Sequence, residues 1–368
     1  MKIKLNKEQE DIARKFLEVK EFNISAAEIY IEYLNEHYDD ITDFDVNTLN
    51  GHDRLDIAFY KSFLKAMRIH SKEKEYIDIN NNSHLDTMRL LDPNDYLNDE
   101  YAKIVGFPKV INNEWQLTSL NYLPYEGFVY DELSIDDEFY QETTPFGFFD
   151  TTFKYLAVIQ EETIWMSVIP HEINTMKKPI KDAYGNVLVL GLGLGYFPFH
   201  VSNKDDVDKI TIIENDEQVI NLFMKHILPK FPHKEKIQIV KEDAFKYLEN
   251  AASFDFVFAD IWHNVGDGLK LYLLIKKYEA TAPNTKFEYW IETSLLAMLR
   301  RQTLTVFEEQ YFGGLKEKDY LRASNENDQI INAIYFATKD YQINNAKDLH
   351  DLLNEDSLKA LAKVLILK

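Results

Sequence analysis

The chain has 368 residues, 45% of them hydrophobic, and a formal net charge of −21 at pH 7. That length suggests two domains or slightly more with a sizeable core, and such a negative surface repels phosphate backbones, which disfavours nucleic acid as a partner. With no cysteine, the chain has no disulfides, thiolate metal sites or cysteine nucleophile, and no apolar run reaches the ~20 residues of a spanning helix. Nothing of signal-peptide length follows the lysines of Met1-Lys2-Ile3-Lys4-Leu5, so a cytoplasmic protein away from membranes is expected. The densest basic groups, Lys177-Lys178 with Lys181 and Arg300-Arg301, are short enough to be solvated faces.

The first hundred residues read as helical. Ile12, Phe16 and Val19 give helical spacing over Asn6 to Lys20. Ser25 with Glu28 resembles a capping box opening a second helix that reaches about Tyr38. Leu55, Phe59, Phe63, Ala66 and Met67 mark a third over Asp53 to Ile69, and Asp92-Pro93 opens another that runs to Val105. From Gly106 to Ile164, prolines, glycines and aromatics punctuate short apolar runs, such as Phe148-Phe149-Asp150 and Tyr155 to Ile159, so a small β-rich module is expected. The acidic stretches Glu36 to Asp45 and Asp131 to Glu138 read as solvated loops. The division is therefore a helical N-terminal domain over 1–105, a β-rich linker over 106–170, and an α/β domain over 171–368.

From Asn186 the pattern is regular. Val187 to Leu190, Lys209 to Ile213, Ile237 to Val240, Phe254 to Ala259 and Phe287 to Ile291 are short apolar strands. Helical stretches separate them: Glu217 to Leu228, Ala244 to Asn250, Leu269 to Tyr278 and Ser294 to Leu304. This alternation predicts a Rossmann-like, doubly wound, mostly parallel sheet. The tail is expected to add a strand over Ile330 to Thr338 and a closing helix over Ser357 to Leu365.

The first of these strands runs into Gly191-Leu192-Gly193-Leu194-Gly195-Tyr196, where glycines let a ligand approach the backbone. Glu214 ends the next strand, 23 residues after Gly191, where a carboxylate accepts from ribose hydroxyls. Glu242-Asp243-Ala244 follows the third strand, within reach of an adenine amine, and Asp260 ends the fourth. Four features at four successive strand tips make one nucleotide crevice. The third glycine comes one residue too early for NAD, and there is no phosphate-binding GxxxxGK[ST] loop, so S-adenosylmethionine (SAM) is the expected cofactor.

Val187 to Tyr196, Glu214, Glu242-Asp243-Ala244 and Phe254 to Asp260 resemble the SAM-binding motifs of class I SAM-dependent methyltransferases, and more narrowly those of the spermidine-synthase-like branch. Phe149-Asp150 through Tyr155-Leu156, then Glu161 to Ser167, is similar to the hairpin and helix entry preceding the glycine loop in that branch. The resemblance implies that Gly191, Gly193 and Gly195 lie against the methionine part of SAM, with Glu214 on the ribose and Asp243 with Ala244 beside the adenine. One departure stands out: aminopropyltransferases carry an acid at the position of Leu194, and an Asp-rich segment where this chain reads Asp260-Ile261-Trp262-His263-Asn264. Loss of the first acid removes a partner for cationic decarboxylated SAM and no longer repels the carboxylate of ordinary SAM. The expectation is therefore a SAM-dependent methyltransferase acting on a small molecule or protein.

Around the fourth strand tip, Asp260 is placed to orient or deprotonate an acceptor and His263 to serve as a base. Trp262 is placed to stack on the acceptor and Asp267 to attract a cation. Trp165 with Met166, and Glu292 after the fifth strand, are candidates to complete the pocket. No histidine pair stands at metal-ligand spacing, so no metal is expected. Two alternatives remain: an aminopropyltransferase making a polyamine, and a catalytically silent SAM-binding protein that recruits a partner. A homodimer is left open.

Overall fold

A computed structural model describes residues 1–36, 41–51, 54–66, 88–112, 115–160 and 163–367. The chain opens with α1 (Lys7–Glu36), a single helix where two were expected. The apolar rhythm that suggested a break after Lys20 is carried instead by buried polar groups. Lys20 pairs with Glu308 at 2.6 Å, and the Asn23 amide donates to the Tyr140 carbonyl and accepts from Glu142 N, both at 2.9 Å. Ser25 lies inside this helix, with Ala26, Ile29, Tyr30 and Tyr33 continuing its buried face.

Next comes α2 (Asp43–Asn50), in a stretch expected to be loop. Thr42 caps it, and Asp45 returns the hydrogen bond to the Thr42 N–H; residues 37–40 of that acidic stretch lie outside the described residues. The third expected helix is α3 (Leu55–Ala66), with Asp53 and Met67 to Ile69 outside the described residues. The segment after Pro93 splits into a single turn, Asn94–Leu97, and α4 (Glu100–Val105), because Asp99 starts a new helix by accepting from Tyr101 N at 2.8 Å. The second acidic stretch also holds more than loop: Ser134–Ile135 pairs with Glu142–Thr143, and Glu132 accepts from Ser294 N at 2.9 Å.

The β-rich segment is an antiparallel sheet of β1 (Val110–Asn112), β2 (Trp115–Tyr122), β3 (Phe153–Gln160) and β4 (Thr163–Ser167), in the order β4-β3-β2-β1. Phe149 and Asp150 fall outside any strand; the short strand there is Phe146–Phe148. Glu161 and Glu162, between β3 and β4, lie outside the described residues.

The C-terminal half is a Rossmann-type α/β unit. Helix α5 (Pro170–Asp182) leads into β5 (Gly185–Leu190) and α6 (Tyr196–Ser202). Next come β6 (Val207–Glu214), α7 (Glu217–His226), β7 (Ile237–Lys241) and α8 (Ala244–Tyr247). They are followed by β8 (Phe256–Ala259), α9 (Val265–Lys276), β9 (Lys286–Tyr289) and α10 (Glu292–Tyr311). The sheet order is β7-β6-β5-β8-β9, with every neighbouring pair parallel. Strand β5 is central; its Val187 to Leu190 are buried because helices cover both faces. The strand order reverses between β5 and β8, which opens a crevice at their carboxyl ends.

The tail departs from expectation. Ile330 to Thr338 is part of α11 (Glu326–Thr338), not a strand. Asn325 caps it by accepting from Asp328 N at 2.8 Å, and Ile330, Ile331, Ile334, Tyr335 and Thr338 are buried at helical spacing. The β-branched run suggested a strand, but its period is that of a helix. After α12 (Ala346–Leu353), α13 (Glu355–Val364) closes the fold as expected. Lys2–Ile3 pairs in parallel with Gln342–Ile343, and Ala13, Phe16 and Leu17 of α1 share a core with Leu304, Phe307 and Leu349. Among the described residues, no helix is long and apolar enough to cross a membrane.

Candidate active site

The crevice holds a cavity of about 580 Å³, within the range of small-molecule sites. Its floor is the turn from β5 into α6. Gly191 has φ +91°, and a Cβ there would sit 2.0 Å from the Asp260 carbonyl oxygen, so only glycine lets the tips of β5 and β8 close together. Gly193 has φ +53° and nothing within 4 Å of the position of a Cβ, which leaves its backbone open to a ligand. Gly195 begins α6 with φ +77° against Phe223. A buried bond fixes the turn from outside: Tyr101 of α4 donates its hydroxyl proton to the Leu194 carbonyl at 2.5 Å.

Each strand tip adds a carboxylate. Glu214 accepts from Asp216 N at 2.8 Å and Leu192 N at 3.3 Å, which anchors it beside the glycine turn and leaves further lone pairs for a ligand. Burial pushes its carboxyl above the ordinary range. Asp243 lines the cavity and also caps α8, accepting from Lys246 N at 3.0 Å; Ala244 lines the cavity beside it. Glu242, also on the wall, pairs with Lys246 at 3.0 Å. Asp260 directly follows β8, with its N–H held by the Leu190 carbonyl at 2.9 Å. Burial pushes its carboxyl up to about 7.

The fifth carboxylate, Glu172, was missed as a site residue. It stands in the first turn of α5, half-buried on the cavity wall. Burial and the nearby Asp260 charge hold its carboxyl well above the ordinary range. The available signal was an acid near the start of an amphipathic helix, next to His171. That histidine faces Trp290 with ring centroids 6.0 Å apart, and burial lowers it to about 4.

The remaining candidates separate. Trp165, 41% exposed, meets the His263 ring at 4.4 Å, so the two flank the mouth of the cavity, and Met166 lines it. Trp262 is a buried wall residue packed over Gly268. Asp267, expected to attract a substrate cation, is not among the residues lining the cavity: it accepts from Asn264 N at 2.9 Å within the capping box of α9 and holds His263 Nδ1 at 2.9 Å. Glu292 lies away from the site, lining a second cavity of about 230 Å³ and bonded to the Tyr272 hydroxyl at 2.8 Å and Lys276 at 3.3 Å. Starting α10 one residue after left-handed Ile291 turns it there.

Among the described residues, five carboxylates therefore line the main cavity, and no lysine or arginine does. Residues 164–317 match the spermine/spermidine synthase domain. That span contains every residue lining the cavity. A polyamine aminopropyltransferase of Clostridium botulinum (strain Eklund 17B / Type B) is 31% identical over 136 residues, 36% of this chain and 46% of the relative. Another of that name, from Desulforudis audaxviator (strain MP104C), is 28% identical over 157 residues, 38% of this chain and 55% of the relative. The chain thus spans about half the length of these relatives. The crystal structure of spermidine synthase from Thermotoga maritima has a TM-score of 0.29 and 15% identity, covering 41% of this chain and 59% of that one.

The fold of this half is thus a spermidine-synthase-like Rossmann type. The expectation of a methyltransferase is overturned, because the matched relatives are named for aminopropyl transfer. The physical error was to judge the donor from Leu194 alone. The rest of the wall brings five carboxylates, none of them in the glycine turn.

Proposed function

We propose that this chain transfers an aminopropyl group from decarboxylated SAM to an amine. The observation that carries the reading is the charge of the cavity: five carboxylates and no lysine or arginine among the described residues. Decarboxylated SAM presents a sulfonium and an ammonium with no carboxylate, which suits such a wall; SAM adds an anion that it opposes. The domain matched over residues 164–317 and the names of the relatives support the same reading.

Each residue then has a task. The open backbone at Gly193 receives the donor, and Glu214 accepts from the ribose hydroxyls. Asp260 takes a proton from the acceptor ammonium. The freed amine attacks the carbon beside the sulfonium, a C–N bond forms, the C–S bond breaks, and its electron pair leaves on a neutral thioether. A carboxyl raised to about 7 by burial is suited to that transfer near neutral pH. Trp165 and His263 limit water at the mouth.

Calorimetry tests the reading at the binding step. Decarboxylated SAM is expected to bind at least tenfold more tightly than SAM. Tighter binding of SAM would refute the proposal.

A further inference from the structure

Glu172 is a cavity carboxylate to which this mechanism gives no task. Three of the five acids are committed within the protein: Glu214 to the backbone of Leu192 and Asp216, Glu242 to Lys246, and Asp243 to the cap of α8. The side-chain carboxylates of Glu172 and Asp260 have no hydrogen-bond or ion-pair partner among the described residues. They line the same cavity close enough for the Asp260 charge to act on Glu172. Asp260 also abuts Gly191 at the start of the glycine turn, and that turn brings no acid of its own, since Leu194 stands there, buried.

Two unpaired carboxylates facing one half-buried space disfavour each other's ionised form, and a cation between them relieves both. A primary ammonium has three N–H donors and can serve both at once. We propose that Glu172, together with Asp260, holds the ammonium at the end of the donor's aminopropyl chain, which makes Glu172 the residue that selects the decarboxylated donor. The inference rests on the aminopropyl reading above. It also gives the wall a reason to reject SAM, whose carboxylate sits on the carbon that bears that ammonium.

The test is calorimetry on the full chain, wild type against Glu172→Gln, titrated with decarboxylated SAM, SAM and 5′-methylthioadenosine. The last has the nucleoside and thioether but no ammonium. Glu172→Gln is expected to bind decarboxylated SAM roughly 10- to 100-fold more weakly, the effect of losing one charge-assisted hydrogen bond. Its affinity for 5′-methylthioadenosine should stay that of the wild type, which shows the cavity intact. Glu172→Asp should recover part of the loss. Unchanged affinity for decarboxylated SAM in Glu172→Gln, or equal loss of both ligands, overturns the inference while leaving the aminopropyl reading standing. A wild type that prefers SAM overturns that reading and the inference with it.

Discussion

Replacing Asp260 by Asn separates a catalytic carboxylate from a structural one. The side chain accepts no hydrogen bond among the described residues, and burial raises its carboxyl from 3.8 to about 7. The native state therefore holds this proton more tightly than the unfolded chain does. Stability from this group is fully present below about 3.8 and is lost as the pH rises to about 7. That displacement corresponds to up to ~4 kcal/mol withheld at pH 8, part of which belongs to the neighbouring Glu172. Asn keeps the shape without the charge, so Asp260→Asn should melt several degrees higher than wild type at pH 8, with a smaller gain at pH 5.

Turnover should move the other way, falling by roughly 10²–10⁴. In the wild type, kcat/KM for the donor should rise with pH through a midpoint near 7 and level off above it, because it reports the free enzyme's base. Asp260→Asn should lose that limb. The assay is a pair of pH profiles, melting by calorimetry and turnover by product formation, on the same samples. Full turnover in a folded sample, or a lower melting temperature at pH 8 with activity retained, would refute the reasoning and leave Asp260 a turn-forming residue.

Four further substitutions probe the rest of the site. Glu214→Ala should cost about 2–3 kcal/mol of affinity for 5′-methylthioadenosine; an unchanged dissociation constant removes it from the ribose. Gly191→Ala should destabilise the fold by roughly 3 kcal/mol or more through a clash with the Asp260 carbonyl. Gly193→Ala, with open space around it, should cost only ~1–2 kcal/mol of stability and chiefly lower ligand affinity; denaturant titrations giving equal losses would contradict the two environments. Tyr101→Phe leaves the Leu194 carbonyl without its donor, so urea melts should show a loss of about 1–3 kcal/mol and calorimetry a weaker nucleoside site; a wild-type affinity would show that the glycine turn holds itself.

The parallel sheet was legible because its strands are buried on both faces and read as unbroken apolar runs between amphipathic helices. The strand-tip acids were legible because the chain places them at fixed points, Glu214 after β6 and Asp260 after β8. Glu172 was not, since it reaches the cavity from a helix before the first strand, and only the folded wall puts it near Asp260. Local spacing also concealed the length of α1, where Lys20 and Asn23 are buried on distant partners, Glu308 and Tyr140. It misread α11 too, where β-branched composition outweighed period. The choice of donor failed for a related reason: one position in a loop was weighed, while the charge of a site is a sum over every wall.

The most direct test is the identity of the product. The full chain is incubated with decarboxylated SAM and 1,4-diaminobutane, and separately with SAM and the same amine, and both mixtures are read by mass spectrometry. The account predicts an amine extended by one aminopropyl unit together with 5′-methylthioadenosine in the first mixture, and no methylated amine in the second. A methylated amine from SAM, with no aminopropyl product from the decarboxylated donor, would contradict it.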